Sequence, residues 1–417
     1  MIHAYARCKH LICVLAMLSG VTLASAFEPG LNTPEVMQKI VTAAMTPLAV
    51  SVPADKGTLL FSDSPEYAEQ SGILYGDEVS GSVRVYFYHV NESSGVKKIV
   101  VVGENRGDHD VRAVVTKYQY SKPSASYYHV GKDLSTAYYE GTSGVRAVMV
   151  PAHGAAVLGD RLDNVRIWSG QLFSGIVDLE LESPLVISTV MLPADADTLS
   201  YLKRAVVLPS DAAKLRGTFT GKDRALHLLA PYRPKEGIGY IKIGDGAEDA
   251  FLQGTDVLDR RRSENTGNYG VDYTIQAATK GSGLIHLYFN TQGGEYSGVV
   301  EVRRRDKAGR ELTKIVELPR QGDSMGYDNA YAMEYVDSFS AGTETTLHIM
   351  PPGAANLPVR FIFVPDGTVR QIIKDVKEEE AQGQGQETTQ PPKTSEDKKN
   401  AAASDWQTIN LRERLGL

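Results

Sequence analysis

The chain has 417 residues, a formal net charge of −7 and only two cysteines, Cys8 and Cys13. Both fall in a leader-like stretch with Arg7 and Lys9, an apolar run from Leu11 to Ala16, and the small-x-small pattern Ala24-Ser25-Ala26. Cleavage after Ala26 leaves 391 residues, no cysteine and a charge of −9, which excludes disulfide scaffolds, Cys-based zinc sites and Cys nucleophiles, and argues against a nucleic-acid partner.

The first element expected is a helix over residues 33–46. Thr33 caps it, Pro34 takes the first helical position, Glu35 follows, and Val36, Ile40, Val41 and Ala44 form an apolar face. From Thr58 the pattern turns to strands. Ser82–Val90 alternates, with Val83, Val85, Phe87 and His89 on one face and Arg84, Tyr86, Tyr88 and Val90 on the other. Further strands are predicted at 98–103, 111–120, 145–150, 155–159, 174–181 and 185–192, separated by Gly, Pro, Asn and Asp turns.

The second half follows a similar order. Leu284–Asn290 resembles Val85–Asn91 in apolar pattern and closing Asn, and 297–304 with 311–318 matches 98–120 as a strand–turn–strand unit. Strands at 345–350 and 359–364 complete it. The fold class expected is all-β: two tandem antiparallel β-sandwiches of immunoglobulin or fibronectin type. The divisions are a signal peptide at 1–26, a helical segment at 27–56, sandwiches at 57–207 and 208–366, and a disordered tether at 367–417. Within 377–400 there is no large apolar residue to offset ordering entropy. Trp406, Ile409, Leu411 and Leu415 then read as a short terminal motif. No apolar run of the mature chain nears the ~18 residues of a transmembrane helix.

There is no HExxH, no GxSxG and no EF-hand loop. Gly217–Asp223 has one residue too few between its glycines for a P-loop, and Asp223 replaces the magnesium-binding hydroxyl. The acidic stretch 244–259 carries Asp245, Glu248, Asp249, Asp256 and Asp259 among glycines, a composition suited to a calcium loop, since calcium takes six to eight oxygens from flexible backbone. Tyrosine is abundant, 21 against 10 Phe. The cluster Tyr118, Tyr120, Tyr127, Tyr128, Tyr138 and Tyr139 suits an amphipathic surface for glycan or protein. Asn265, Asn268, Tyr269 and Asn356 lie in turn-like segments that also suit a binding loop.

Several phrases resemble a family of exported Bacillota proteins: Leu74-Tyr75-Gly76-Asp77 with Gly81-Ser82-Val83-Arg84-Val85, Leu215-Arg216-Gly217-Thr218-Phe219, Glu264–Val271 and Pro351–Val359. Members are often labelled for a small module similar to the N-terminal domain of copper amine oxidase, which this chain does not show. The resemblance implies export and envelope attachment. It carries over no catalytic residue and no copper chemistry. The function expected is therefore a non-enzymatic cell-envelope protein that binds a cell-wall or surface glycan or an envelope protein. Its destination is extracellular, the cell surface or the periplasm. The alternatives are an envelope-glycan hydrolase using carboxylates of 244–259 and a structural subunit of a surface assembly.

Overall fold

Residues 30–142, 144–305 and 309–384 are described by a computed structural model of the chain. The predicted leader, and the part of the predicted tether from 385 onward with Trp406, lie outside these residues.

The first helix starts where expected but ends at Thr42, short of the expected 46, so Ala44 lies outside it. Helix α1, Pro34–Thr42, begins where the Thr33 hydroxyl accepts from the Val36 N–H, 3.3 Å away, and it buries Val36 and Ile40. The strands of the first half follow: β1 (Lys56–Ser62), β2 (Gly72–Asn91), β3 (Lys97–Glu104) and β4 (Val111–Tyr120). Helix α2, Tyr127–Glu140, interrupts them before β5 (Arg146–Val150), β6 (Ala155–Val157) and β7 (Leu172–Pro193). Strands β2 and β7 pair along nearly their whole length, with a register shift between Leu181 and Leu185. The Glu182-Ser183-Pro184 segment therefore bends one strand rather than separating two. Strand β3 pairs with the 186–193 end of β7 and β4 with its 175–181 end, so β3 and β4 lie end to end along β7. They are not hairpin partners.

The second half starts with β8, Arg216–Leu228. Then come β9 (Gly239–Ile243), the hairpin of β10 (Leu252–Asp256) and β11 (Arg261–Asn265), β12 (Asp272–Gln276), β13 (Leu284–Asn290) and β14 (Gly298–Arg305). Strands β15 (Glu311–Leu318), β16 (Met333–Ser340), β17 (Glu344–Ile349) and β18 (Val359–Pro365) follow. One sheet has the order β9-β18-β13-β16, with the two-residue strand Thr46–Pro47 added parallel to β9 at its edge, and the facing strands run β12-β17-β14-β15. The eight longer strands thus interleave as two Greek keys, the strand order of a jelly roll. This departs from the expected immunoglobulin-type arrangement. It also separates the halves, because β14 and β15 pair directly as a hairpin where β3 and β4 do not.

The architecture is mostly β, as expected, yet its sheets are mixed. Strand β1 runs parallel to β2, and β8 parallel to β12. Strand β8 is antiparallel to β1 on its other edge, so one sheet passes from the first half into the second. Both faces of β2 are buried: Val83, Val85 and Phe87 enter the core of the first half, while Tyr86, Tyr88 and Val90 join the core of the second. Alternation inward and outward has here become alternation between two cores.

The tether expected from 367 is helical at its start. Helix α3 spans Asp366–Gln384, and Val369 and Val376 are buried beside Val36 and Ile40 of α1. Val369, Ile372, Ile373 and Val376 repeat at helical spacing, so an apolar stripe covers the outer face of the β9-β18-β13-β16 sheet before the glutamates begin. Lys39 of α1 pairs with Glu379 at 2.8 Å.

Candidate functional site

Arg84 is the largest fully buried side chain of β2, with only 2 % of its side chain exposed. It stands opposite Asp178 in the β2–β7 register. Its Nε donates to Asp178 Oδ1 at 2.7 Å and its Nη2 to Asp178 Oδ2 at 3.0 Å, a bidentate pair. Nη2 also donates to the Tyr138 hydroxyl at 2.7 Å and lies 3.2 Å from Asp223 Oδ1; Nη1 donates to the carbonyls of Lys222 and Gly270. One guanidinium thereby ties β2, β7, α2, β8 and the turn before β12. Burial alone pushes the Asp178 carboxyl up, but Arg84 outweighs it and holds the group below the usual carboxylate range.

A second layer rests on this node. Lys117 Nζ sits 3.9 Å from the centroid of the Tyr138 ring, a cation–π contact. The Tyr139 hydroxyl donates to Asp272 Oδ1 at 2.8 Å. Burial pushes the Asp272 carboxyl up to about 6, against the pull of Arg84 and of the Tyr139 hydrogen bond. Burial also lowers the Lys117 ammonium and the His348 imidazole. These groups cluster at one end of a partly exposed polar sheet face.

That face belongs to β8, β12, β17 and β14. The apolar residues Leu226, Tyr273, Ile275, Leu347, Ile349, Val300 and Val302 point into the core, so the alternate positions point out. The registers place those positions in rows. One row is Ala225, Thr274, His348 and Glu301; the next is His227, Gln276, Thr346 and Arg303. Neighbours within a row bond: Thr274 Oγ1 is 3.3 Å from His348 Nδ1, and His227 Nδ1 is 2.8 Å from Gln276 Oε1. Adjacent strands are about 4.8 Å apart, so donors and acceptors repeat at near-regular intervals. Helix α2 packs against β14 and β15 and walls the end near Asp272, while Gln276 and Arg303 are exposed.

The tyrosines singled out in the sequence do not form one exposed surface. Tyr118 is buried, donates to Asp160 at 2.7 Å and accepts from Arg161 Nε at 2.6 Å; Tyr120 stacks on it, 6.4 Å between centroids. Tyr127, Tyr128, Tyr138 and Tyr139 lie on α2, a helix where strand and loop were expected. Only Tyr138 and Tyr139 reach the polar seam. The predicted binding loop is a folding device. Asn265 accepts from the Tyr269 N–H and donates to its carbonyl. Asn268, with φ of 51°, accepts from Leu252 N and donates to the Tyr273 hydroxyl. Tyr269 donates to the Ala355 carbonyl and Asn356 accepts from Glu295 N.

The carboxylates of 244–259 that suited a calcium loop are placed apart, most with partners of their own. Asp249 accepts from Arg224, Tyr273 and Gly244 N; Asp256 pairs with Arg216 and Arg261; Asp259 meets Arg216 and Ser210. Asp245 accepts from the N–H groups of Ala247 and Asp249, and Glu248 is exposed. The carboxylates point at guanidinium and backbone donors, not at a shared centre. Among the described residues no group of three His, Cys, Asp or Glu side chains is placed to hold a metal ion.

Sequence reading missed Arg84, Lys117, Asp272, Gln276, Glu301 and Thr346. The signal was present as polar residues at period two, Asp272-x-Thr274-x-Gln276, Glu301-x-Arg303 and Thr346-x-His348, opposite apolar neighbours.

No protein-family model matches the chain, and no curated protein matches it. Among solved structures, a Paenibacillus xanthan lyase is 11% identical over 78% of this chain and 27% of that chain, with a TM-score of 0.16. The CBM22-1-CBM22-2 tandem of Paenibacillus barcinonensis Xyn10C is 10% identical over 77% of this chain and 92% of its own, with a TM-score of 0.14. Bacillus subtilis oxalate decarboxylase is 11% identical over 75% and 78%, with a TM-score of 0.10. The chain spans about a quarter of the lyase, and superpositions this poor carry no argument about fold or function.

Proposed function

We propose that this chain is an exported, non-enzymatic envelope protein, built of two fused sandwich-like halves, that binds an extended glycan along the outer face of β8, β12, β17 and β14. The observation that carries the reading is the polar row His227-Gln276-Thr346-Arg303, in which Gln276 and Arg303 are exposed, with half-buried Thr274 and His348 beside it and Glu301 buried at the end of the neighbouring row. Such a face offers alternating donors and acceptors to a chain of hydroxyl groups, and Tyr139 and Lys117 close one end of it. Binding rather than turnover fits the electrostatics, because Arg84, Asp178 and Tyr138 are already engaged with one another and Asp272 with Tyr139. The leader-like segment at 1–26 supports export, and the acidic balance of the chain favours a glycan over a nucleic acid.

The test is retention on purified cell-wall polysaccharide fractions, followed by calorimetry on whichever fraction holds the protein. Gln276→Ala with Thr346→Ala is expected to weaken binding at least tenfold while leaving the melting temperature near that of the parent. Retention by no fraction overturns the glycan reading. Bond cleavage on product analysis replaces it with the hydrolase alternative.

A further inference from the structure

A second cluster of ionisable groups shares no residue with that face. Strand β1 ends at Ser62, which lies beside Phe87 in the parallel β1–β2 register; Tyr67 lies beside Val90. The loop between them, with a cis Ser64–Pro65 bond, therefore runs level with Tyr88. Asp211 fixes it by accepting from Ser64 Oγ and Glu66 N, both at 2.8 Å. Asp63 is only 7 % exposed, and its Oδ1 has no hydrogen-bond partner. Tyr88 is 3 % exposed, and its ring packs so closely on the Gly353 backbone that a Cβ there would fall 2.4 Å from it. Tyr127 of α2 approaches Tyr67, with 6.4 Å between centroids.

We propose that Asp63, Glu66 and the rings of Tyr67, Tyr88 and Tyr127 form a receptor for a protonated amine. An uncompensated buried carboxyl is costly, and an ammonium group answers it with both charge and hydrogen-bond donors. Aromatic rings add cation–π attraction. Among the described residues no hydrogen bond or ion pair to a cation is found at Asp63 or Glu66. The near guanidinium, Arg216, gives Nη1 to the carbonyls of Ser64, Leu74 and Leu208 and turns its Nε and Nη2 toward Asp256 and Asp259. His89 spends its ring nitrogens on Ser62 and the Pro65 carbonyl. The absence, among the described residues, of a metal-holding trio favours an organic cation over a metal ion. Burial, then Asp211, pushes the Glu66 carboxyl up to about 7. Burial, then Glu66 and Asp211, raises that of Asp63. Burial, then Glu66 and Asp63, raises the Tyr88 phenol; burial first, with Glu66 and Glu92 behind it, also raises the phenols of Tyr67 and Tyr127.

A lysine side chain and an amino sugar both present this chemistry. The experiment is calorimetric titration of the full chain with Nα-acetyl-lysine amide and with glucosamine at pH 7. Nα-acetyl-norleucine amide and N-acetylglucosamine serve as neutral counterparts. At least one ammonium probe is expected to bind tenfold or more tightly than its neutral counterpart, and which one does so identifies the source. Asp63→Asn and Glu66→Gln should each weaken that binding at least tenfold. In the unaltered protein, affinity for the lysine probe should fall at least tenfold from pH 8 to pH 5, as the Glu66 carboxyl takes up its proton. Equal binding of charged and neutral probes, or a flat pH profile, overturns the proposal even if a variant fails to fold. Neither result bears on the glycan face.

Discussion

Glu66→Gln should stabilise the protein at alkaline pH and leave it unchanged in acid. Glu66 is half-buried, and its carboxyl moves from the usual 4.5 to about 7 on folding, through burial and the neighbouring Asp211 charge. The folded chain thus binds this proton more tightly than the unfolded chain does. The resulting stability is fully present below about pH 4.5 and is lost as pH rises through 7. Each tenfold change in proton affinity is worth about 1.4 kcal/mol, so the whole shift costs about 3 kcal/mol, reduced to about 2 by the partial solvent exposure. Glutamine keeps the shape of the protonated acid and never ionises. Urea unfolding of variant and parent at pH 4 and pH 8, without amines, measures the difference. The expected gain is about 2 kcal/mol at pH 8 and nearly none at pH 4. An equal effect at both values, or destabilisation at pH 8, refutes the reasoning. Asp272, pushed up to about 6, adds a lower window of the same sign that is common to both proteins and cancels.

Arg84→Met leaves Asp178 buried without its partner and should cost about 3–5 kcal/mol. Adding Asp178→Leu should recover most of that loss, which equilibrium unfolding of the single and double variants will read. Gly175→Ala would place a Cβ 2.4 Å from the Phe87 ring in the core of the first half. A loss of about 1–3 kcal/mol is expected from such overpacking, and a melting temperature equal to that of the parent contradicts the close approach.

Local signals carried much of the fold. The Thr33-Pro34-Glu35 start of α1, the alternation in 82–90 and the strand at 284–290 stand in the structure as read. What escaped was non-local. Ser183-Pro184 looks like a strand boundary, yet pairing to both neighbours carries β7 through it. Helix α2 was hidden because its tyrosines favour strands; packing against β14 and β15 decides the matter. The acidic loop misled because its composition shows the carboxylates but not Arg216 and Arg224, which arrive from β8. Arg84 was placed correctly opposite Val83 and Val85, but a second core on that side of β2 was not visible from one strand.

Strand β8 has backbone partners from the first half on one edge and from the second on the other. A cut on either side of it would leave a bare strand edge and half of a shared core in water. This protein is therefore a poor source of interchangeable parts: its halves cannot be shuffled, duplicated or lost separately as beads on a string are. Any change in its surface chemistry has to arise by substitution on its faces rather than by recombination of modules.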